Sequence, residues 1–261
     1  MTSNQLVEKK KVLSVSPQAR HPLKEILYRL RHPELVADTV MRAAAESWQL
    51  ISSSEFSKLY RRVRRRTMCS VARLRGLHDG VKYVVENRLH GDLVECGCAQ
   101  GGSAALMALS LRQLGDRRTL WLFDTFEGLP APTVDDPDHE IADLFTGSCL
   151  GPVDEVQQFF QDQGIADGVQ FVKGLFQDTI ARSSIEQIAL LHIDGDWYES
   201  VKVCLDGLYD KVVPGGIIQF DDYGYWKGAR RAIDEFMVKR EINVPLRRLD
   251  YSGRSLRKPL L

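Results

Sequence analysis

The residues in this chain best suited to chemistry are carboxylates that close apolar runs. Ile188-Ala-Leu-Leu-His-Ile-Asp194 ends in Asp194, and Pro214-Gly-Gly-Ile-Ile-Gln-Phe-Asp-Asp222 ends in Asp221 and Asp222. If the two runs are adjacent parallel strands, all three carboxylates gather at one edge of a sheet. There they repel one another unless a cation neutralises them. An oxygen-only donor set of this kind suits Mg²⁺, which takes few carboxylates and keeps positions for water and substrate. Asp196, two residues beyond Asp194, either joins the set or caps the next helix. A single strand-end acid commonly caps a helix; three of them on successive strand ends favour a metal. His192 shares a strand face with Asp194 and reads as a core or supporting histidine rather than a ligand.

A second stretch faces the same edge. Asp92-Leu-Val-Glu-Cys-Gly-Cys-Ala-Gln-Gly-Gly-Ser-Ala-Ala-Leu-Met107 is an apolar strand, a glycine-broken turn and a helix start. Ser103 is the expected helix cap. Gly97-Cys-Ala-Gln-Gly-Gly102 has the spacing G-x-x-x-G-G rather than the dinucleotide G-x-G-x-x-G, and Glu95 precedes it. A carboxylate aimed at a pyrophosphate is repulsive; aimed at an ammonium, a sulfonium or ribose hydroxyls it is favourable. The loop therefore favours S-adenosylmethionine over a nicotinamide dinucleotide, and a turn without a ligand stays open. Thr119-Leu-Trp-Leu-Phe-Asp124 is the next strand, about one βαβ repeat on. Asp124 stands where such sheets hold ribose hydroxyls, or else it caps the following turn.

These residues need elements to position them. Apolar periodicity predicts helices between Pro22 and Tyr60, over Val71–Leu89, Val153–Gln163, from Ser200 to Tyr209 and over Gly228–Arg240. Further strands are predicted at Val169–Gly174, Ile188–Asp194 and up to Asp222, with Phe176–Ile180 as an exit turn. A hairpin joins Leu246–Asp250 to Ser255–Lys258. Thr125 to Pro152 is rich in proline and acids, lacks periodicity, and reads as a lid. His139 on this lid, with Asp196 and Trp197, are the candidates for meeting an acceptor substrate. Five strands alternating with helices make an α/β, Rossmann-like doubly wound sheet. Residues 1–20 read as a tail, 21–90 as an N-terminal helical extension, and 91–261 as the cofactor-binding domain. The apolar helices of the extension are expected to cover the site or support a homo-oligomer.

Composition narrows the classes. Thirty-five basic residues balance thirty-five acidic ones, which argues against a nucleic-acid binder. The basic run Arg61–Arg66 is expected to be a solvated helix face, with an anion site as the alternative. Five scattered cysteines form no disulfide framework and suit a reducing compartment. Cys96 and Cys98 lack the second ligand pair of a zinc site and are expected to face opposite sides near a strand end. With no long apolar run and no signal-peptide pattern, no membrane span and a cytoplasmic location are the expectations.

Taken together, Val-Glu-Cys-Gly-x3-Gly-Gly-Ser, Phe-Asp-Thr-Phe-Glu-Gly-Leu-Pro, His-Ile-Asp-Gly-Asp-Trp-Tyr-Glu-Ser and Asp-Asp-Tyr resemble the macrocin O-methyltransferase family. The resemblance covers roughly Arg66 to Phe236. It implies a class I methyltransferase fold that uses S-adenosylmethionine and Mg²⁺ to methylate a hydroxyl, commonly on a sugar of a natural product. By the same resemblance Thr67 and Met68 touch the methionine end of the cofactor. Glu95, Gly97, Cys98, Ala99, Gln100, Gly101, Gly102 and Ser103 hold its amino-acid part. Asp124 binds the ribose with Thr125 and Phe126 close by, and Gln177 and Asp178 lie near adenine. Asp194, Asp221 and Asp222 match the metal ligands, Asp194 also being the proton acceptor. A nicotinamide oxidoreductase and a non-catalytic binding protein on the same fold are the competing readings.

Overall fold

The computed structural model describes residues 33–260. The tail at 1–20 and the first predicted helical stretch, around Leu23–Leu30, lie outside the described residues. Among the described residues three helices come first: α1 (Pro33–Ile51), α2 (Glu55–Val63) and α3 (Val71–Glu86). The side chains of Ser54 and Ser70 accept backbone N–H groups of the first turns of α2 and α3, which sets where each helix begins. Then β1 (Asp92–Cys96), α4 (Gly102–Gln113), β2 (Leu120–Asp124), a single turn α5 (His139–Ala142), α6 (Val153–Asp162) and β3 (Val169–Lys173) follow. The chain continues through α7 (Phe176–Thr179), β4 (Ile188–Ile193), α8 (Tyr198–Leu208), β5 (Val212–Phe220), α9 (Lys227–Lys239), β6 (Arg247–Arg248) and β7 (Arg254–Arg257).

The strands form one seven-stranded sheet in the order β3-β2-β1-β4-β5-β7-β6. β1 to β5 pair in parallel and β7 and β6 antiparallel, as the predicted hairpin requires. Strand order reverses between β1 and β4, so a crevice opens beyond their carboxyl ends. Each face of the sheet buries one apolar layer, because alternate residues of a strand point to opposite faces. Leu93 and Leu190 pack with α2, α3, α4 and α6. Val94, Cys96, Leu191 and Ile193 pack with α8 and α9. The helices α2 and α3 thus belong to the core layer itself. Cys96 and Cys98 do enter opposite layers, because the chain leaves the strand at Gly97, whose φ is +86°.

Two local readings change. β5 begins at Val212, through Pro214 rather than after it. Its pairing to β4 jumps from Ile188↔Val212 to Leu190↔Ile217, so the Pro-Gly-Gly stretch is extruded as a bulge where proline cannot donate to the ladder. The basic run is not simply solvated: Arg61 donates to the carbonyls of Gln49 and Ser52, Arg62 to Gln163, and Arg66 lies over the Phe159 ring.

The lid between Thr125 and Pro152 is pinned at its base. Asp136, buried, accepts from the backbone N–H of Tyr198 at 2.7 Å and so satisfies the first turn of α8 from across the chain. Trp197 donates its indole N–H to the Pro130 carbonyl at 2.8 Å and packs edge-on against Trp226. Asp136→Ala is expected to cost about 0.5–2 kcal/mol, the range for losing a helix cap. Urea unfolding checks the stability, and limited proteolysis should show faster cleavage within 125–152.

Candidate active site

The crevice holds a cavity of about 270 Å³ whose lining includes Met68, Gly97, Ala99, Asp124, Thr125, Leu129, Phe176, Gln177, Asp194, Asp196 and Trp197. It is built by strand ends: the glycine loop follows β1, Asp124 ends β2, and Asp194 follows β4. The glycine loop must be a glycine loop for a local reason. A Cβ at Gly97 would overlap the Asp194 carbonyl, and one at Gly151 would overlap the Ala99 carbonyl where the lid returns. Four non-glycine residues around the cavity, Ala99, Phe126, Cys149 and Asp196, have φ between 44° and 60°. Such left-handed conformations cost energy and cluster where surrounding structure enforces a shape needed for function.

Asp124 is more committed than the sequence suggests. Its Oδ2 accepts the N–H groups of Cys98 and Ala99, at 2.8 and 2.9 Å, and its Oδ1 accepts that of Phe126 at 2.7 Å. One carboxylate fixes both loops, and with Thr125 Oγ1 also 3.4 Å from Oδ1 it lacks the capacity to accept from two further hydroxyls. Ser103 is not a cap. The cap position is Gly101, at φ +81°, and Ser103 is buried inside α4. Glu95 lies wholly buried beneath the loop and bonds His192 instead of opening to the cavity. Cys98 and Phe126 turn into the core. Thr67, Gln100, Gly101, Gly102 and Asp178 are not part of the lining, whereas Met68 and Gln177 are. His139 is exposed at the start of α5 and away from the lining.

The carboxylates gather as predicted, but in two sets. Asp194, Asp196 and Asp222 offer oxygens within 4.8 Å of one another, and so do Cys69, His192, Asp194 and Asp221. Asp194 belongs to both, and Asp221 sits with the deeper set. Burial, reinforced by Asp221 and Asp222, pushes the Asp194 carboxyl well up. Burial and Asp222 do the same to Asp196, and burial with Asp221 lifts Asp222 to about 6. Burial also opposes charge on Asp221, but Arg73 and His192 outweigh it and hold this carboxyl below its usual value.

Arg73 was invisible to motif reading. It reaches from α3 to pair with Asp221 and, at 3.1 Å, with Asp250 in the hairpin turn. Asp250 in turn accepts from Ser70 and from the N–H groups of Ser252 and Gly253. The available signal was its position on the buried stripe of α3 with Leu74, Leu77, Val81 and Val84. A charged residue on such a stripe needs a buried partner.

The arrangement suits binding of a positively charged ligand beside a cation and a hydroxyl. The sequence model of the family described as Macrocin-O-methyltransferase (TylF) matches residues 33–258. The chain belongs to the macrocin O-methyltransferase family. It is 36% identical over 192 residues to demethyldecarbamoylnovobiocin O-methyltransferase of Streptomyces niveus, covering 72% of this chain and 73% of that one. It is 30% identical over 199 residues to mycinamicin III 3''-O-methyltransferase of Micromonospora griseorubida, with 72% and 76% covered. The solved structure of the O-methyltransferase NovP superposes with a TM-score of 0.70 at 32% identity over 75% of this chain and 83% of that one. As a member of this family the chain is an S-adenosylmethionine-dependent O-methyltransferase on a Rossmann-like class I fold. Among its described residues no helix is long and apolar enough to cross a membrane.

Burial alone would lower the pKa of His192, but the carboxylates of Asp221 and Glu95 beside its ring raise it from 6.5 to about 9. A group whose folded value exceeds its unfolded value stabilises fully below the unfolded value and loses that contribution as pH rises through the folded one. With EDTA present, wild-type stability should fall by on the order of 2–3 kcal/mol between pH 6.5 and 9 through this group. Urea unfolding across that window checks it, and His192→Gln should flatten the slope.

Proposed function

We propose that this enzyme transfers the methyl group of S-adenosylmethionine to a sugar hydroxyl of a glycosylated natural product, with Mg²⁺ at the strand-end carboxylates. The observation that carries this reading is the sharing of one cavity by the glycine loop, Asp124 and the carboxylates after β4. A relative 33% identical, from Streptomyces olivaceus, is named as a 4'-O-methyltransferase of a rhamnosyl-tetracenomycin, which supports a sugar acceptor.

The residues fit both groups. Asp124 Oδ1 would take a ribose hydroxyl, while Met68, Leu129 and Phe176 give apolar wall beside Gln177. Six carboxylates, Glu95, Asp194, Asp196, Asp221, Asp222 and Asp250, stand with Arg73 and His192 as the cations among the described residues, a balance that favours an added divalent ion. Asp194, Asp222 and Asp221 would hold Mg²⁺, with Asp196 beside them, and the ion would supply Lewis acidity that makes a bound hydroxyl easier to deprotonate. The hydroxyl oxygen bonds to the methyl carbon as the carbon–sulfur bond breaks, its electron pair leaving on sulfur. The hydroxyl proton passes to Asp194, the carboxylate that follows β4 and lines the same cavity. The loops serve alignment: a single displacement gains most from holding oxygen, carbon and sulfur in line. The lid anchored by Trp197 and Asp136 excludes water from that line.

EDTA should abolish methyl transfer to a glycosylated acceptor and Mg²⁺ should restore it; activity that survives chelation overturns the metal reading. Asp194→Asn should lower kcat by about 10²–10⁴-fold, the span for losing a general base, while calorimetry still shows S-adenosylhomocysteine binding. Asp124→Ala should instead weaken that binding by roughly 10–100-fold, the worth of a charged hydrogen bond. Unchanged affinity would remove Asp124 from the cofactor site.

A further inference from the structure

One file of polar residues crosses the sheet on its α3 face. Glu95 on β1 is in register with His192 on β4, and His192 with Gln219 on β5. All three are buried. Glu95 Oε1 lies 2.7 Å from His192 Nδ1, and no hydrogen-bond partner meets His192 Nε2. That nitrogen points at Asp221 Oδ1, 3.5 Å away, and Cys69 Sγ lies 3.6 Å from the same oxygen. Asp221 Oδ2 is taken by Arg73, so Oδ1 is the oxygen left facing the cluster.

We propose that Cys69, His192, Asp194 and Asp221 form a second cation site, selective for a borderline-soft divalent ion such as Zn²⁺. The donors differ in kind from the all-oxygen set beside them. One sulfur, one imidazole nitrogen and two carboxylate oxygens make a set that Mg²⁺ does not use and Zn²⁺ and Co²⁺ do. The spacing agrees. Donors at about 2.0–2.3 Å around a tetrahedral ion stand roughly 3.3–3.8 Å apart, and the 3.5 and 3.6 Å separations of His192 Nε2 and Cys69 Sγ from Asp221 Oδ1 fall in that range. The support agrees too. A carboxylate on Nδ1 fixes the tautomer that leaves Nε2 as a bare donor, which is the carboxylate–histidine–metal arrangement. Charge favours a bound cation: with the thiol ionised and His192 neutral, Cys69, Asp194, Asp221, Glu95 and Asp250 carry five negative charges against Arg73. On binding, the thiol proton leaves to solvent, as does any proton on Nε2. Because Asp194 and Asp221 would also hold Mg²⁺, an ion in the deeper site withdraws both from the catalytic edge. Zn²⁺ is therefore an inhibitor of Mg²⁺-supported methyl transfer.

The test is titration of the metal-free protein with Co²⁺, followed in the near-ultraviolet and visible. The expected result is one equivalent of Co²⁺ giving a sulfur-to-cobalt charge-transfer band and tetrahedral visible bands, both bleached by Zn²⁺. Cys69→Ser should lose the charge-transfer band, and Cys149→Ser, which alters the thiol on the lid, should keep it. A wild-type spectrum without a charge-transfer band overturns the proposal, whatever the variants do, and leaves a protonated His192 bridging Glu95 and Asp221. A band that persists in Cys69→Ser overturns it as well. With millimolar Mg²⁺ present, micromolar Zn²⁺ should slow wild-type turnover about tenfold or more, and slow Cys69→Ser far less, as loss of a soft ligand demands. This last arm rests on the Mg²⁺ reading above, whereas the spectra do not. Turnover indifferent to EDTA would remove Mg²⁺ and leave the Co²⁺ result standing.

Discussion

The mutual repulsion of carboxylates at the carboxyl edge of β4 and β5 is the constraint on which the rest of the site depends. Asp194, Asp196 and Asp222 all have raised pKa values because burial and one another disfavour their charge. Only Asp221 is held charged, by Arg73 and His192. Each of those cations is itself buried and must be answered. Asp250 answers Arg73 from the hairpin turn, and Glu95 answers His192 from β1. A charge pattern at one sheet edge thus dictates polar residues on α3, β1 and the closing hairpin, none of which reaches the cavity.

Backbone geometry obeys the same economy of position. Asp124 spends most of its hydrogen-bonding capacity on three N–H groups of two loops, so one side chain holds the shape of both. Left-handed φ values at Ala99, Cys149 and Asp196 line the cavity from three separate segments. They persist because neighbours hold them: the Gly151 contact behind Ala99, and for Asp196 a backbone N–H to Asp222 with its carboxylate accepting from Trp226. The lid is part of this framework, since Asp136 caps α8 and Trp197 carries Pro130. The outer lining near Leu129, Thr133 and Glu199 is formed where the lid meets α8.

Family membership and the spectrum of donors at the cavity floor bear on different questions. Membership establishes methyl transfer from S-adenosylmethionine. The donors bear on which ions the cavity floor suits, and the proposed oxygen set and the proposed mixed set share Asp194 and Asp221.

Much of this was determined by the sequence alone. Apolar runs alternating with helical periods define a doubly wound sheet, because burial of each face requires that pattern. Acids at the ends of the β2, β4 and β5 runs fall at one edge, because parallel strands all end there. The glycine spacing with its preceding Glu95 marked the loop. Other features were decided only by the tertiary structure. Cross-strand register paired Glu95 with His192, turning an expected cofactor ligand into a buried support. Packing of α3 brought Arg73, 148 residues distant in sequence, onto Asp221. The α8 N-terminus found its cap in Asp136, 62 residues earlier. Local patterns record which face of an element is buried, and they carry no record of which residue of another element meets it there. That partner is fixed by register and packing, which exist only in the folded chain.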